Sequence, residues 1–265
     1  MSVCLPAREC AGTVGEIVTR LLELRELGAL DEVVVVDAAS ADGTAQIARA
    51  AGAEVWQERE LLPEHGPVLG KGDAMWRSLS VLRGELVCFL DADTECFSAH
   101  FATGLLGVLC CEREVSFVKG FYRRPLASRE VAARESGSEG GRVNRLMARP
   151  ALAQFYPELA RVRQPLAGEV AARRELLERL PFATGYGVEI AMLIDVWRTL
   201  GLQAIAQVDL DEHRHPHQPL SALAPMAATV LATIARRLGD EGRLRGVEHI
   251  LAPPERPPIA SLALT

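Results

Sequence analysis

The sequence predicts an α/β fold in which a mainly parallel sheet carries helices on both faces. Three observations lead there. Apolar runs such as Val33–Val36 and Leu86–Leu90 read as strands buried on both sides. Segments with helical apolar spacing separate them, so strand and helix alternate as right-handed βαβ units require. The early strands also end in polar residues, which gathers those residues along one edge of the sheet.

Taken in order, residues 2–5 form the first strand and Pro6-Ala7-Arg8-Glu9 the turn that leaves it. Val14, Ile17, Val18, Leu21, Leu22 and Leu24 share one face of a helix over 12–28. Val33–Val36 closes on Asp37, and a polar turn then caps a helix over 43–51. Ala53–Trp56 is the third strand, and 57–72 is a loop rich in Pro, Gly and charge. A helix over 74–82 leads into the Leu86 strand. A helix near 98–111 and a strand over 115–122 follow, then a mobile loop at 126–141. Helical patterns return at 142–149, 151–160, 173–179 and 186–200, and a strand at 203–209 precedes a histidine-rich segment, 213–217. A long apolar helix spans 221–238 and packs in the core or in a dimer interface. The proline-rich tail after it is expected to fray. This organisation divides the chain into 1–125, 126–220 and 221–265, or leaves it as one continuous domain.

The 265 residues carry a formal net charge of −6, which argues against a general nucleic-acid binder, since that would need a basic face. Of the 29 basic residues only Lys71 and Lys119 are lysines. Arginine does not replace a compact ammonium everywhere, so both positions mark themselves for inspection. The six cysteines show no C-x-x-C spacing and read as reduced thiols of a cytoplasmic protein. No apolar run reaches the length of a membrane span, and no leader pattern is visible.

The chemistry concentrates in short motifs. Asp91 and Asp93 flank Ala92 at the end of an apolar strand, so both carboxylates leave the sheet on one side. Such a pair suits a hard cation and a nucleotide diphosphate; a helix-capping turn is the plainer alternative. Gly66–Gly72 is one residue short of a phosphate loop and lacks its Ser or Thr, yet it places Lys71 among glycines at a helix start. Ser40 and Asp42 read as a helix cap, and Asp37 stands where such folds hold a base or ribose. His213, His215 and His217 alternate, so an extended backbone puts them on one face; one of them joining Asp93 on a divalent metal is one reading, a solvated loop another. Lys119–Arg124 and Gly140–Arg145 concentrate positive charge that suits phosphate or carboxylate. Gly185-Tyr186-Gly187-Val188-Glu189 opens a helix where backbone can approach a ligand closely.

Together these residues resemble glycosyltransferase family 81, the glucosyl- and mannosyl-3-phosphoglycerate synthases, over roughly residues 2–238. The resemblance rests on Pro6–Glu9, Asp37–Thr44, Gly70–Arg77, Asp91–Asp93, Phe121–Pro125, Gly140–Val143, Gln164–Glu169, Gly185–Glu189 and His215–Leu220, in that order. Asp-Ala-Asp stands where the family often has Asp-Ser-Asp, a change at the side chain that points away from the pair.

The resemblance implies a GT-A fold, a nucleotide-binding sheet joined to a smaller acceptor-binding part, with Mg2+ or Mn2+ as cofactor. It implies retaining transfer of a hexose from a nucleotide sugar to the 2-hydroxyl of D-3-phosphoglycerate by a homodimer, the donor leaning to UDP-glucose while no residue of these motifs excludes GDP-mannose. A nucleotide-sugar pyrophosphorylase or an idle nucleotide-sugar-binding module is the alternative; the former would want a glycine-rich basic loop that Pro6–Thr13 lacks. By position, Pro6, Ala7, Glu9 and Ser40 contact the nucleoside, Lys71 the diphosphate, and Asp91 and Ala92 the donor. Tyr186 and Glu189 bind the donor sugar. Asp93 and His215 hold the metal. Gly141, Arg142, Asn144 and His217 hold 3-phosphoglycerate, and Leu166 and Gly168 line the reaction centre, with Asp93, Leu166 and Glu189 as the catalytic set.

Overall fold

The computed structural model describes residues 1–123, 141–213 and 220–262. Nine strands occur among them: β1 (Ser2–Ala7), β2 (Glu32–Asp37), β3 (Glu54–Gln57), β4 (Leu86–Phe89), β5 (Phe117–Arg123), β6 (Val170–Arg173), β7 (Phe182–Ala183), β8 (Ile205–Glu212) and β9 (Glu255–Arg256). The helices are α1 (Val14–Glu26), α2 (Thr44–Ala51), α3 (Lys71–Ser78), α4 (His100–Cys111), α5 (Arg149–Phe155), α6 (Arg174–Arg179), α7 (Val188–Leu200) and α8 (Leu220–Asp240). Seven strands make one sheet in the order β3-β2-β1-β4-β6-β5-β8. All neighbours pair in parallel except β6, which is antiparallel to both β4 and β5.

Period-two alternation splits the apolar side chains between two cores. Cys4, Val34 and Val36 face one side with Trp76, Phe89 and Leu193; Val3, Leu5, Val33 and Val35 face the other with Ile17, Leu21, Phe101 and Leu105. The α/β expectation, a mainly parallel sheet covered on both faces, therefore holds. β1 runs two residues further than expected, through Pro6. The carbonyl of Cys4 accepts from Leu90, whereas that of Ala7 accepts from Ala38. Pro6 therefore faces the β4 side, where pairing stops at Cys4–Phe89 and no ladder bond needs its missing N–H.

Strand β6 was not anticipated, and it positions the site. Because it runs against its neighbours, its start lies where β4 and β5 end. Phe89 pairs with Val170, so continuing the register sets Gly168 opposite Asp91.

The tail does not fray, contrary to the sequence expectation. Prolines forbid a helix there, but an extended segment can still be pinned by side chains. The Arg256 guanidinium forks onto Asp73, Nε to Oδ1 at 2.7 Å and Nη2 to Oδ2 at 2.9 Å, and also donates to the carbonyls of His65 and Pro67. Trp76 Nε1 donates to the Pro257 carbonyl at 2.8 Å, and β9 pairs with β7. Asp73 also accepts the Leu69 N–H at 2.9 Å, which starts α3 at Lys71, three residues earlier than expected. The expected loop at 126–141 lies almost wholly outside the described residues. No helix among those described is long and apolar enough to cross a membrane.

Candidate active site

A cleft of about 950 Å³ opens along the carboxyl edge of the sheet. At its base Lys71 Nζ lies 2.5 Å from Asp91 Oδ1 and 3.1 Å from Glu189 Oε1. Burial works against the ammonium, but Asp91 and Glu189 outweigh it and hold Lys71 well above the ordinary lysine value. Gly168 presses against this pair. A Cβ there would stand 2.4 Å from Asp91 Oδ1 and 2.6 Å from Lys71 Nζ, so any larger residue must displace the ends of this ion pair. Leu166 and Ala167 continue the same wall.

The second lysine stands behind that wall. Lys119, buried in β5, donates from Nζ to the Ala167 carbonyl at 2.6 Å. Burial, aided by Lys71, lowers it to about 8 against the pull of Glu189, Glu169 and Asp91. Both lysines of the chain thus converge on the segment 166–168.

Toward β1 and β2, two loops are laced together. The Glu9 N–H donates to Ser40 Oγ at 2.9 Å, and the Ala41 N–H returns to Glu9 Oε1 at 2.8 Å. This holds Glu9 at φ 53° and places Pro6, Ala7 and Glu9 on the cleft wall. Ser40 braces Glu9 from behind; the N-cap of α2 is Gly43 rather than Ser40 or Asp42, and Asp42 instead ties the loops together by accepting from Thr44 and Ala11. Asp37 is buried; its Oδ2 accepts from Gln57 Nε2 at 2.9 Å and from the Ser40 N–H at 3.2 Å. Asp91, Ala92 and Asp93 all reach the cleft, the Ala92 side chain turned into the core and its carbonyl taking Thr13 Oγ1 at 2.6 Å.

The opposite end is basic. Arg142, Arg145, Arg149 and Arg163 line it with Gly141 and Asn144. Residues 144–148 form a π-helical turn, a geometry that recurs at functional sites. Tyr186, 53% exposed, and Glu189 stand where α7 begins, and Leu223, Met226 and Val230 of α8 close the wall.

The Glycosyl transferase family 2 model matches residues 2–147. Glucosyl-3-phosphoglycerate synthase of Mycolicibacterium smegmatis is 46% identical over 239 residues, 90% of this chain and 78% of that protein. The synthase of the same name from Petrotoga mobilis is 43% identical over 246 residues, 92% of this chain and 75% of the relative. The chain belongs to this family of glycosyltransferases. Among solved structures, mannosyl-3-phosphoglycerate synthase from Rubrobacter xylanophilus superposes with a TM-score of 0.88 at 44% identity, covering 98% of this chain and 87% of that one. Glucosyl-3-phosphoglycerate synthase from Mycobacterium tuberculosis, in complex with Mn2+, UDP-glucose and phosphoglyceric acid, gives 0.83 at 40% identity over 97% and 89%.

The donor set fits the divalent metal of this family. Asp91, Glu169 and His213 bring ligating atoms within 4.8 Å of one another, and carboxylate oxygens with an imidazole suit Mn2+ or Mg2+; this set differs from the expected pair, of which Asp93 lines the same cleft and His215 lies outside the described residues. Within that set His213 is also a scaffold. Its Nε2 lies 3.1 Å from Glu169 Oε1 and 3.0 Å from Thr94 Oγ1, and its buried ring stacks on Tyr122 at 4.5 Å. His215 and His217 lie outside the described residues, as do residues 124–140. Sequence reasoning missed Glu58, buried at the β3 end of the cleft, because nothing separates it from the charged loop around it. It also passed over Glu169, although that residue ends the Gln164–Glu169 motif.

Proposed function

We propose that this chain transfers glucose from UDP-glucose to the 2-hydroxyl of D-3-phosphoglycerate, with retention at the anomeric carbon, giving glucosyl-3-phosphoglycerate. One observation carries the reading. A single cleft joins a carboxylate–lysine end to an arginine-rich end, and Leu166–Gly168 lies between them. The first end suits a nucleotide sugar, the second a small acid bearing phosphate and carboxylate.

In this reading Asp93 and His215 hold the metal, which neutralises the departing diphosphate when bound. Lys71, fixed by Asp91 and Glu189, meets the diphosphate, while Pro6, Ala7 and Glu9, braced by Ser40, hold the nucleoside. Asp91, Ala92, Tyr186 and Glu189 border the donor sugar. Gly141, Arg142 and Asn144, with His217, hold the acceptor. Among these side chains none is an evident covalent nucleophile, so front-face substitution is favoured. The acceptor hydroxyl, oriented by the Leu166 carbonyl, attacks while its proton passes to the leaving phosphate oxygen. The six free cysteines accord with a reducing cytoplasm, and the working form is a homodimer.

The likeness to the Rubrobacter mannosyl synthase supports a second reading, in which GDP-mannose is the donor. The test supplies both nucleotide sugars side by side with 3-phosphoglycerate and Mn2+, following nucleotide diphosphate release and the anomeric configuration of the product by NMR. Release that depends on the acceptor supports the transfer. Donor binding without release identifies an idle module, and an inverted product overturns the front-face step.

A further inference from the structure

We propose that the carboxyl group of Glu58 reads the donor's nucleobase, accepting the imino N–H that uracil and guanine carry and cytosine and adenine lack. The inference rests on the donor site described above.

Glu58 is 2% exposed yet lines the cleft, and its buried Oε1 meets no hydrogen-bond partner among the described residues. Buried polar atoms are nearly always paired, so an unpaired carboxyl oxygen on a binding wall points to a ligand group. Its place in the fold says which group. The cleft follows the edge order β4-β1-β2-β3, with Asp91 and Asp93 after β4 and Glu58 directly after β3. Neighbouring strands lie about 4.8 Å apart, so three spacings set these ends roughly 14 Å apart. A phosphate end at Asp93 and a base end at Glu58 thus fit along this edge, the side chains reaching inward from either end to close the span. Between them Val36, Ala38 and Val68 supply apolar wall for a flat ring. Asp37, the other carboxylate at this end, also keeps one oxygen, Oδ1, without a hydrogen-bond partner among the described residues, but its Oδ2 holds Gln57 and the Ser40 amide and the residue is absent from the cleft wall.

The chemistry of the group matches. Burial and the nearby Asp73 push Glu58 up to about 7, against the opposing charges of Arg77, Arg256 and Arg8. As a carboxylate it accepts the uracil N3–H, or both N1–H and N2–H of guanine, and binding is compared at pH 8, where the group is ionised, because the acid form would pair equally with the cytosine or adenine ring nitrogen. Cytosine and adenine present a ring lone pair at the corresponding position, which opposes a carboxylate oxygen.

The experiment measures equilibrium binding of UDP, GDP, CDP and ADP, each with Mn2+, to the full chain and to Glu58→Ala and Glu58→Gln. Wild type is expected to bind UDP or GDP at least ten-fold more tightly than CDP and ADP, the UDP and GDP arms telling the two sources apart. Glu58→Ala should weaken only the favoured nucleotide, by about ten-fold, as for one hydrogen bond to a charged or buried acceptor. Glu58→Gln, which keeps a carbonyl acceptor and adds an amide donor, should hold the favoured base within about three-fold and narrow the gap to CDP. Undiminished UDP and GDP binding in Glu58→Ala overturns the assignment, as does an equal loss on all four nucleotides. Wild type binding none of the four would instead overturn the donor reading beneath it.

Discussion

Gly168→Ala isolates the contact on which the site geometry turns. Gly168 does not occupy the left-handed region, so an alanine there meets no backbone penalty and the whole effect falls on its neighbours. The new methyl would stand 2.4 and 2.5 Å from the two Asp91 oxygens and 2.6 Å from Lys71 Nζ. Reaching even 3.0 Å needs a shift of about 0.6 Å, and an ordinary 3.4 Å contact about 1 Å. The displaced atoms are the two ends of an ion pair that also engages Glu189, so they do not swing aside independently. Misplacing reacting groups by about 1 Å costs on the order of 100-fold in rate, close to 2.7 kcal/mol of transition-state stabilisation. The fold should lose about 1–3 kcal/mol by overpacking, and remain folded at 25 °C. The assay is acceptor-dependent release of nucleotide diphosphate, with the melting temperature measured in parallel. A folded Gly168→Ala variant within three-fold of wild-type kcat/KM would refute the claim that this close approach sets the reaction centre.

Asp93→Ala should abolish both turnover and Mn2+-dependent donor binding; near-normal turnover would sink the metal assignment. Arg142→Ala should raise the KM for 3-phosphoglycerate by about ten-fold or more while sparing donor affinity, the loss expected of a charge-assisted contact. The opposite pattern would mean that the two subsites are exchanged. Arg256→Ala leaves Asp73 buried with one cation fewer and should cost about 3 kcal/mol, roughly 6–12 °C in melting temperature; an unchanged melting curve would mean the tail contributes nothing. Lys119 titrates near 8 in the fold and near the ordinary lysine value when unfolded, so the unfolded chain binds the extra proton between them. Stability arising from this residue therefore rises as pH climbs through that window, and Lys119→Met should flatten the rise between pH 8 and 10. Parallel pH profiles for the two proteins would contradict it.

The first half of the fold was legible because β1, β2 and β4 obey one rule: an apolar run buried on both faces, then polar residues at one edge. Strand β3, a partly buried edge strand, follows at βαβ spacing. Strand β6 escaped because Val170-Ala171-Ala172-Arg173 is short and small, and its membership of the sheet depends on partners distant in sequence. The tail escaped for a related reason. Proline content speaks against regular backbone, but a bidentate Arg256–Asp73 fork across the molecule leaves no local trace. Asp91, Asp93, Lys71, Arg142 and Glu189 were found through short motifs, and the structure sets all five along one cleft. Glu58 was not, because a buried carboxylate in a loop looks like a solvated one until the fold encloses it.

The scarcity of lysine now has a physical reading. A chain that uses arginine at 27 of its 29 basic positions keeps lysine at two, and both lie against the Leu166–Gly168 wall. At Lys119 one ammonium meets one carbonyl in a fully buried space; a guanidinium there would bring five N–H donors, most with nothing to bond. At Lys71 the compact charge sits between Asp91 and Glu189, bonding one carboxylate oxygen on each. Arginine serves instead at the other end of the cleft, where Arg142, Arg145, Arg149 and Arg163 line the wall and a forked cation can match a phosphate or carboxylate. Point charges hold the wall at Leu166–Gly168, and planar forks line the other end of the cleft.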